Sequence, residues 1–194
     1  KHKKTEYRFG VQGLYQTALN NGGNADQMLT YILKDEKTFA IGGKIGIKFI
    51  KQHEISLNYL GISNQGRYLF PREWGREIFY ASQSREVFEG YGGLNASVFK
   101  YKFNTKDKGL SILLGAGVID QPDIENQRLN KYSLDDYYHF SFDMKYNFKN
   151  YLKGMSLRFL AAYKKELTSG SMTLSQKHNK VDMINLNLII DYEL

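Results

Sequence analysis

Residues 136–148, DYYHFSFDMKYNF, carry the clearest structural signal in the chain. Apolar and aromatic side chains occupy every second position from Tyr138 to Phe148, and polar ones such as His139 and Asp143 lie between them. Successive side chains of a β-strand point to opposite faces, whereas an amphipathic helix repeats its apolar residues about every 3.6 positions. The stretch therefore predicts a long strand with one apolar face and one polar face.

The same alternation recurs along the whole chain and predicts eight strands. Their predicted bounds are 5–17, 36–50, 54–62, 91–103, 109–119, 136–148, 155–167 and 180–194. The fourth is the least regular, because its apolar residues change face near Phe99, and we predict a β-bulge there. Most of the strands are longer than the ~5–6 residues usual in globular proteins. A tilted strand that spans a bilayer needs about 9–11 residues, so their length favours a membrane protein.

The predicted connections alternate in length without exception. Short turns follow the second, fourth and sixth strands, and long loops follow the others, the longest at residues 63–90. Outer-membrane barrels alternate short periplasmic turns with long extracellular loops, and girdles of Tyr and Phe flank their apolar band, as they do here. Aromatic residues also favour ordinary β-structure. Taken together, the pattern predicts an all-β, antiparallel, transmembrane up-and-down β-barrel rather than a soluble β-domain.

Composition narrows the classes of protein further. An aromatic share of 14% argues against a disordered chain, and the absence of Cys excludes disulfide scaffolds and thiolate metal sites. A mean hydropathy of −0.50, with no long apolar run, excludes a membrane-spanning helix. The net charge of +7 would suit a nucleic-acid partner, but most basic residues are dispersed singly along the alternating segments. We therefore predict no nucleic-acid partner.

The polar face of the predicted strands carries single charges among Gly, Ser, Asn and Gln. A soluble domain would expose this face to water, whereas a membrane barrel would turn it toward the lumen. In a barrel, Lys44, Lys48, Lys145 and Arg158 become candidate pore-lining residues. A closed eight-stranded barrel is filled by side chains, and larger barrels leave a water-filled channel. We expect residues 1–194 to be the C-terminal portion of a larger barrel, with a complete eight-stranded barrel domain as the alternative.

The loop at residues 63–90 is rich in both aromatic and charged residues. It contains the only Trp, and four Arg and four Glu lie among its Phe, Tyr and Leu residues. The aromatic residues predict that this loop, whether extracellular or folded inward, packs against other parts of the protein. Arg binds carboxylates through its bidentate fork, and rings of charge in a constriction select solutes. The candidate substrate-binding or pore-lining residues of this loop are Arg67, Arg72, Glu73, Arg76, Glu77 and Arg85. Alternatively, the charged residues of the loop pair with one another and brace it, and a braced loop can also line a pore. The residues that would pair in this way are Arg72, Glu73, Arg76, Glu77, Arg85 and Glu86.

Residues 70–80, FPREWGREIFY, followed by SRE at 84–86 and by Gly90, resemble a segment of OprD-type outer-membrane porins, in particular their divergent relatives. The rest of the chain agrees with that family in strand pattern only. The resemblance implies a large channel of about 18 strands, which admits amino acids, peptides or carboxylates by passive diffusion. It also implies an inward-folded loop and an arginine-rich constriction, for which the loop candidates are Arg67, Arg72, Arg76 and Arg85. The chain is under half the length of such a barrel.

No catalytic or metal motif stands out, because the four His are scattered and no nucleophile–base pair is evident. We therefore predict no enzyme activity, no cofactor and no metal. The expected function is an outer-membrane porin of a Gram-negative bacterium, for passive diffusion of small hydrophilic solutes, some bearing carboxylates. The alternatives are a small closed barrel with a structural or adhesive role and a soluble basic β-domain. Expected partners are outer-membrane lipid, lipopolysaccharide, small solutes, the remaining part of the barrel, and the barrel-assembly machinery, whose terminal-strand signal residues 186–194 resemble.

Overall fold

Eight strands form one sheet in chain order, as the alternation predicted. The computed structural model describes residues 5–19, 32–70, 78–86, 88–105, 109–178 and 180–193. The strands are β1 (Glu6–Thr17), β2 (Lys37–Phe49), β3 (His53–Ile62), β4 (Asn95–Thr105), β5 (Leu110–Asp120), β6 (Tyr137–Asn147), β7 (Met155–Glu166) and β8 (Met183–Tyr192). Each is antiparallel to the next, so the all-β, up-and-down arrangement is confirmed. Short and long connections alternate as predicted.

Helical structure is scarce in the described part of the chain. It comprises a 3-10 turn at Asn150–Leu152 and the short helix α1 (Leu174–Lys177). Among the described residues there is no helix with the length and apolar character that crossing a bilayer requires.

The sheet has two open edges. β1 pairs with β2 and β8 pairs with β7, and within the described residues no strand lies along the outer edge of either. An edge strand presents a row of unpaired backbone N–H and C=O groups. The sheet therefore does not close into a barrel by pairing β1 with β8.

The predicted β-bulge near Phe99 is wrong. β4 pairs with β3 and β5 in an unbroken register, with Phe99 opposite Leu57 and Ala116. The apolar residues change face for another reason: Ala96 and Val98 point to the polar face and are fully buried there. They belong to a core that forms on the polar face, together with residues of the 63–90 loop.

The two faces of the sheet differ in what covers them. The apolar face leaves large side chains exposed in every strand: Phe9 is 75% exposed, Ile41 60% and Leu188 66%. The residues that line it include Tyr7, Phe9, Val11, Ile41, Ile45, Leu57, Phe99, Val118, Phe140, Leu186, Leu188 and Ile190. The polar face carries Arg8, Lys44, Asn58, Lys100, Ser141, Asp143 and Arg158, and part of it lies under the chain's own loop. The molecule therefore covers part of the polar side of the sheet and leaves the apolar side bare.

The turn between β2 and β3 holds two residues in the left-handed region, Ile50 at φ 53° and Lys51 at φ 61°. A non-glycine residue there costs roughly 1–2 kcal/mol, and Asn tolerates this region better than a β-branched residue does. We expect Ile50→Asn to stabilise the protein by about 0.5–1 kcal/mol. The measurement is the midpoint of urea unfolding. Gln52→Asn, in the same turn but without a positive φ, is the control, and equal midpoints for the two variants would contradict the assignment of strain to Ile50.

Candidate functional site: an inner strap on the polar face

Part of the 63–90 loop folds back and crosses the polar face of the sheet. We call its residues 78–86 the inner strap. On β1, both polar atoms of the Gln12 amide bind the backbone of the strap. Its Nε2 donates to the carbonyl oxygen of Ile78 at 3.0 Å, and its Oε1 accepts from the Tyr80 N–H at 2.8 Å. A side-chain amide that pairs with backbone groups two residues apart replaces the strand neighbour that a loop lacks. One end of the strap is therefore fixed to an edge strand.

The middle of the strap is bound by β4 and β6. Lys100 Nζ, on β4, donates to the carbonyl oxygens of Tyr80 and Ser82 at 2.7 and 2.6 Å. The hydroxyl of Ser141, on β6, donates to Gln83 Oε1 at 3.0 Å. A buried backbone carbonyl must find a donor, and a cationic donor forms a stronger bond than a neutral one. The Lys100 ammonium therefore secures the strap over the centre of the sheet.

Glycines on the polar face make room for the strap. A Cβ at Gly10 would lie 2.7 Å from the Tyr80 ring, and one at Gly117 would lie 2.8 Å from the Gln83 amide. A Cβ at Gly115 would also collide with Gln83. Carbon atoms in contact prefer about 3.5–4.0 Å, so the strap and larger side chains cannot share these positions. The glycines on the polar face therefore leave the space that the strap needs to lie directly on the sheet.

Gly10→Ala tests whether the strap needs this space, with Gly13→Ala on the same strand as its control. The Gly10 methyl would overlap the Tyr80 ring, whereas nothing lies within 4 Å of a Cβ at Gly13. Overpacking costs about 1–3 kcal/mol. Alanine at the free position gains roughly 0.5–1 kcal/mol from lower chain entropy. We expect opposite shifts of the urea midpoint for the two variants. Equal shifts would mean that the strap does not lie on Gly10.

The far end of the strap is anchored by a buried carboxylate. Glu86 Oε2 lies 2.7 Å from Lys164 Nζ on β7 and accepts from the Tyr137 hydroxyl at 2.6 Å. His139 Nδ1 is 3.7 Å away, and the His139 side chain is fully buried. Burial alone would raise the pKa of Glu86, but the ammonium of Lys164 and the hydrogen bonds from Lys164 and Tyr137 outweigh it and hold the pKa below its ordinary value. Glu86 is therefore ionised and binds the strap to the sheet through Lys164 and Tyr137. We call this set of contacts the latch.

The strap reaches the second edge strand at Arg85. Its Nη2 donates to Asn187 Oδ1 on β8 at 2.9 Å, and its backbone has a φ of 65°. A cavity of about 290 Å³ opens beside this contact, and its lining includes Arg85, Glu89, Tyr132 and Lys180. Both signs of charge and an aromatic ring therefore face one small space between the strap and the last two strands.

Aromatic packing holds the rest of the loop in place. Tyr68, Phe79 and Phe88 are buried, with the rings of Tyr68 and Phe79 in edge contact at a centroid distance of 5.3 Å. Such a pair contributes about 0.5–1.5 kcal/mol beyond its buried area. The prediction that the aromatic residues of the loop pack against other parts of the protein holds for these three residues. Trp74 lies outside the described residues.

The loop candidates of the sequence analysis divide into two groups. Arg67 is half-buried, and its backbone N–H donates to Glu36 Oε1 at 3.2 Å. Arg85 lies on the inner strap. Four of the predicted residues fall outside the described part of the chain, and they are Arg72, Glu73, Arg76 and Glu77.

All four wall candidates lie on the polar face, and two of them are in ion pairs. Lys44 Nζ is 2.8 Å from Glu54 Oε1. The Arg158 fork donates to both oxygens of Asp143, at 2.8 and 2.5 Å. Lys48 is half-buried and Lys145 is exposed on the same face.

The residues of the sheet that hold the strap were not singled out from the sequence. Gln12, Lys100 and Tyr137 are each one polar side chain on the polar face of a strand, like many others. Their only common signal is that face, because partners as distant along the chain as Gln12 and Ile78 cannot be paired by local pattern.

Comparisons with known proteins add no assignment. The chain matches no protein-family model, no curated protein and no solved structure. Among the residues that the structure describes, no three His, Asp or Glu side chains are grouped as a metal site requires. The site is thus defined by its own geometry: the charged polar face of the sheet, crossed by a strap that is bound to it.

Proposed function

We propose that this chain forms part of the wall of an outer-membrane β-barrel channel of a Gram-negative bacterium. The channel passes small hydrophilic solutes by passive diffusion, carboxylate-bearing ones among them, and the 63–90 loop forms its constriction. One observation carries the proposal: the sheet leaves its apolar face bare and covers part of its polar face with the inner strap. In water this arrangement is the wrong way round, because burial of apolar area drives folding. In a bilayer it is the expected one, with lipid on the apolar face and solute on the polar face.

The open edges support a wall of more than eight strands. In lipid every backbone polar group needs a partner within the protein, so a spanning sheet cannot keep an open edge. An eight-stranded barrel has an interior only wide enough for side chains. The inner strap places backbone as well as side chains on the polar face, which leaves no room for β1 to close onto β8 around it. This argues against the small closed barrel and for a larger one whose other strands come from outside the described residues.

Charge on the polar face supports a preference for anionic solutes. Basic residues outnumber acidic ones there. The basic set is Arg8, Lys44, Lys48, Lys100, Lys102, Lys145, Arg158 and Lys164, and the acidic set is Glu6, Glu54, Asp143, Glu166 and Asp191. A cleft lined mainly by one sign of charge concentrates ions of the other sign. The resemblance of the loop to OprD-type porins agrees with this function, and the expected partners are outer-membrane lipid, lipopolysaccharide and the barrel-assembly machinery.

Recordings from the purified full-length protein in planar bilayers test the function. We expect discrete conductance steps and, under a salt gradient, a reversal potential that indicates anions permeate better than cations. Liposomes that contain the protein should swell in small sugars or amino acids. A protein that is inserted in the bilayer but gives neither steps nor swelling would overturn the channel, and one that stays in solution without detergent would overturn the membrane location.

A further inference from the structure

We propose that the short-turn end of the sheet binds phospholipid headgroups of the periplasmic leaflet, through the outward-facing imidazole of His53 and the lysines of the short turns. The ligand is an anionic glycerophospholipid, of which phosphatidylglycerol is the simplest example. The site depends on the proposed membrane location, because only lipid on the apolar face brings headgroups to it. It lies within β2, β3, β4 and the short turns, so it does not depend on which strands continue the sheet.

His53 begins β3 on the apolar face, where its neighbours are aromatic. Its ring stacks on that of Phe49, with a centroid distance of 5.3 Å and an interplanar angle of 10°, and it lies 4.8 Å from the ring of Phe103. Its Nδ1 is hydrogen-bonded to the Tyr101 hydroxyl at 2.8 Å. These contacts fix the orientation of the imidazole, and within the described part of the chain its Nε2 has no hydrogen-bond partner.

The depth of His53 matches the level of the headgroups. It pairs with Phe49, four residues along β2 from Ile45 near the middle of that strand. Four residues that rise about 3.4 Å each, in a strand tilted by about 40°, span about 10 Å of membrane thickness. The apolar band of an outer-membrane barrel is about 25 Å tall, so His53 lies near its border on the short-turn side. An ionisable side chain at that depth needs a polar partner, and the nearest ones in the bilayer are headgroups.

The chemistry of the site favours the phosphate of a lipid. A Tyr101 hydroxyl that donates to Nδ1 leaves the ring proton on Nε2, which then donates outward. A phosphodiester oxygen is an ionised acceptor, and hydrogen bonds to ionised groups are about twice as strong as neutral ones. The rings of Phe49 and Phe103 supply apolar contact beside this donor. The site therefore fits a molecule that joins a phosphate to acyl chains better than it fits free phosphate.

The other short turns extend this binding surface. In the turn between β6 and β7, Tyr151 is fully exposed and Leu152 is 47% exposed. Tyr is enriched at membrane–water interfaces, where an amphipathic ring has one end in each medium. The sequence of the short turns, residues 50–52, 104–109 and 148–154, contains five Lys and one Asp. Because basic residues beside a bilayer attract anionic lipids, these turns favour phosphatidylglycerol over a zwitterionic lipid.

Native mass spectrometry of lipid retention tests the site. The purified full-length protein in detergent is titrated with phosphatidylglycerol, with phosphatidylcholine and with inorganic phosphate. His53→Phe keeps the stacked ring but has no Nε2, and we expect it to weaken the retention of phosphatidylglycerol about tenfold, the equivalent of one hydrogen bond to a charged group. His53→Gln keeps an N–H donor and should retain more lipid than His53→Phe. His178→Phe, at the end of α1 on the long-loop side, is the control and should leave retention unchanged.

The turn lysines are tested with Lys51→Gln combined with Lys153→Gln, which should reduce the preference for phosphatidylglycerol over phosphatidylcholine. Equal retention by His53→Phe and the unmodified protein would overturn the site, as would displacement of the lipid by inorganic phosphate. Membrane insertion is scored separately, by resistance to extraction of outer-membrane vesicles with urea. A protein that is not inserted would overturn both the membrane location and the site. An inserted protein whose lipid retention does not depend on His53 would overturn the site alone.

Discussion

Ile45→Arg is expected to destabilise the inserted protein by about 2–4 kcal/mol, the cost of an arginine on the lipid face of a barrel near the bilayer midplane. Ile45 lies near the middle of β2 on the apolar face and is 54% exposed. If that face were in water, the substitution would replace one exposed side chain with another and change stability by at most about 0.5 kcal/mol. The effect therefore measures which solvent covers the face. Unfolding from liposomes in guanidinium gives the free energy.

The matched control for this prediction is a residue on the same face at another depth in the bilayer. Thr17→Arg places the same side chain on the same face at the end of β1, where an arginine costs about 0–1 kcal/mol in a barrel. A large loss of stability for Ile45→Arg and a small one for Thr17→Arg would show that lipid covers the apolar face. Two small losses would refute the membrane assignment, and with it the channel.

Glu86→Gln is expected to release the inner strap and raise the single-channel conductance. The substitution keeps the shape of the side chain but leaves the Lys164 ammonium buried beside a neutral amide. Breaking one partner out of a buried ion pair costs about 3–5 kcal/mol. Because Glu86 lies at the far end of the strap, this cost stabilises the detached strap relative to the strap bound to the sheet. The measurements are conductance in planar bilayers and cleavage of the loop by protease.

A second buried glutamate of the same loop is the control. Glu89 pairs with Lys131 at 3.2 Å and accepts from the Tyr132 hydroxyl, both on the neighbouring loop and not on the wall. Glu89→Gln should therefore lower stability without changing conductance. Glu86→Met combined with Lys164→Met removes both charges and should restore much of the lost stability. Equal conductance for Glu86→Gln and the unmodified protein would show that the latch does not control the pore.

The same latch predicts a response to acid. The pKa of Glu86 is lowered in the folded protein, so its contribution is complete at neutral pH and is lost as the pH falls through the folded value, below the ordinary range of a glutamate. We expect conductance to rise only under strongly acidic conditions. The variant without both charges should not show this rise, and a rise of the same size in it would assign the response to another group.

The sequence predicted the strands well and the strap poorly, for one physical reason. Alternation is a local property, so Tyr138 to Phe148 could be assigned to a strand, and to faces, without knowledge of any neighbour. The bulge near Phe99 was predicted wrongly because that argument assumed a polar face without apolar residues. Ala96 and Val98 are apolar because a loop covers them. Aromatic content showed that the loop would pack, but not where.

The residues of the sheet that hold the strap could not be predicted for the same reason. Charge drew attention to Arg85 in the loop, yet the groups that hold the strap include Gln12 and Lys100, which resemble other polar residues of their strands. Glycine was the one informative local signal: Gly115 and Gly117 mark positions where another part of the chain approaches closely. The glycines alone did not reveal which segment that would be.

The strap also sets an order of events in folding. It joins residues far apart in sequence, 66 positions between Gln12 and Ile78 and 102 between Arg85 and Asn187. Contacts of such separation form late, because the entropy of closing long loops must be met before they contribute. The strap cannot be secured at both ends until β8, the last strand of the sheet, is in place. Docking of the strap would therefore finish the folding of this sheet, and a chain interrupted before β8 would be left with the strap attached at one end only.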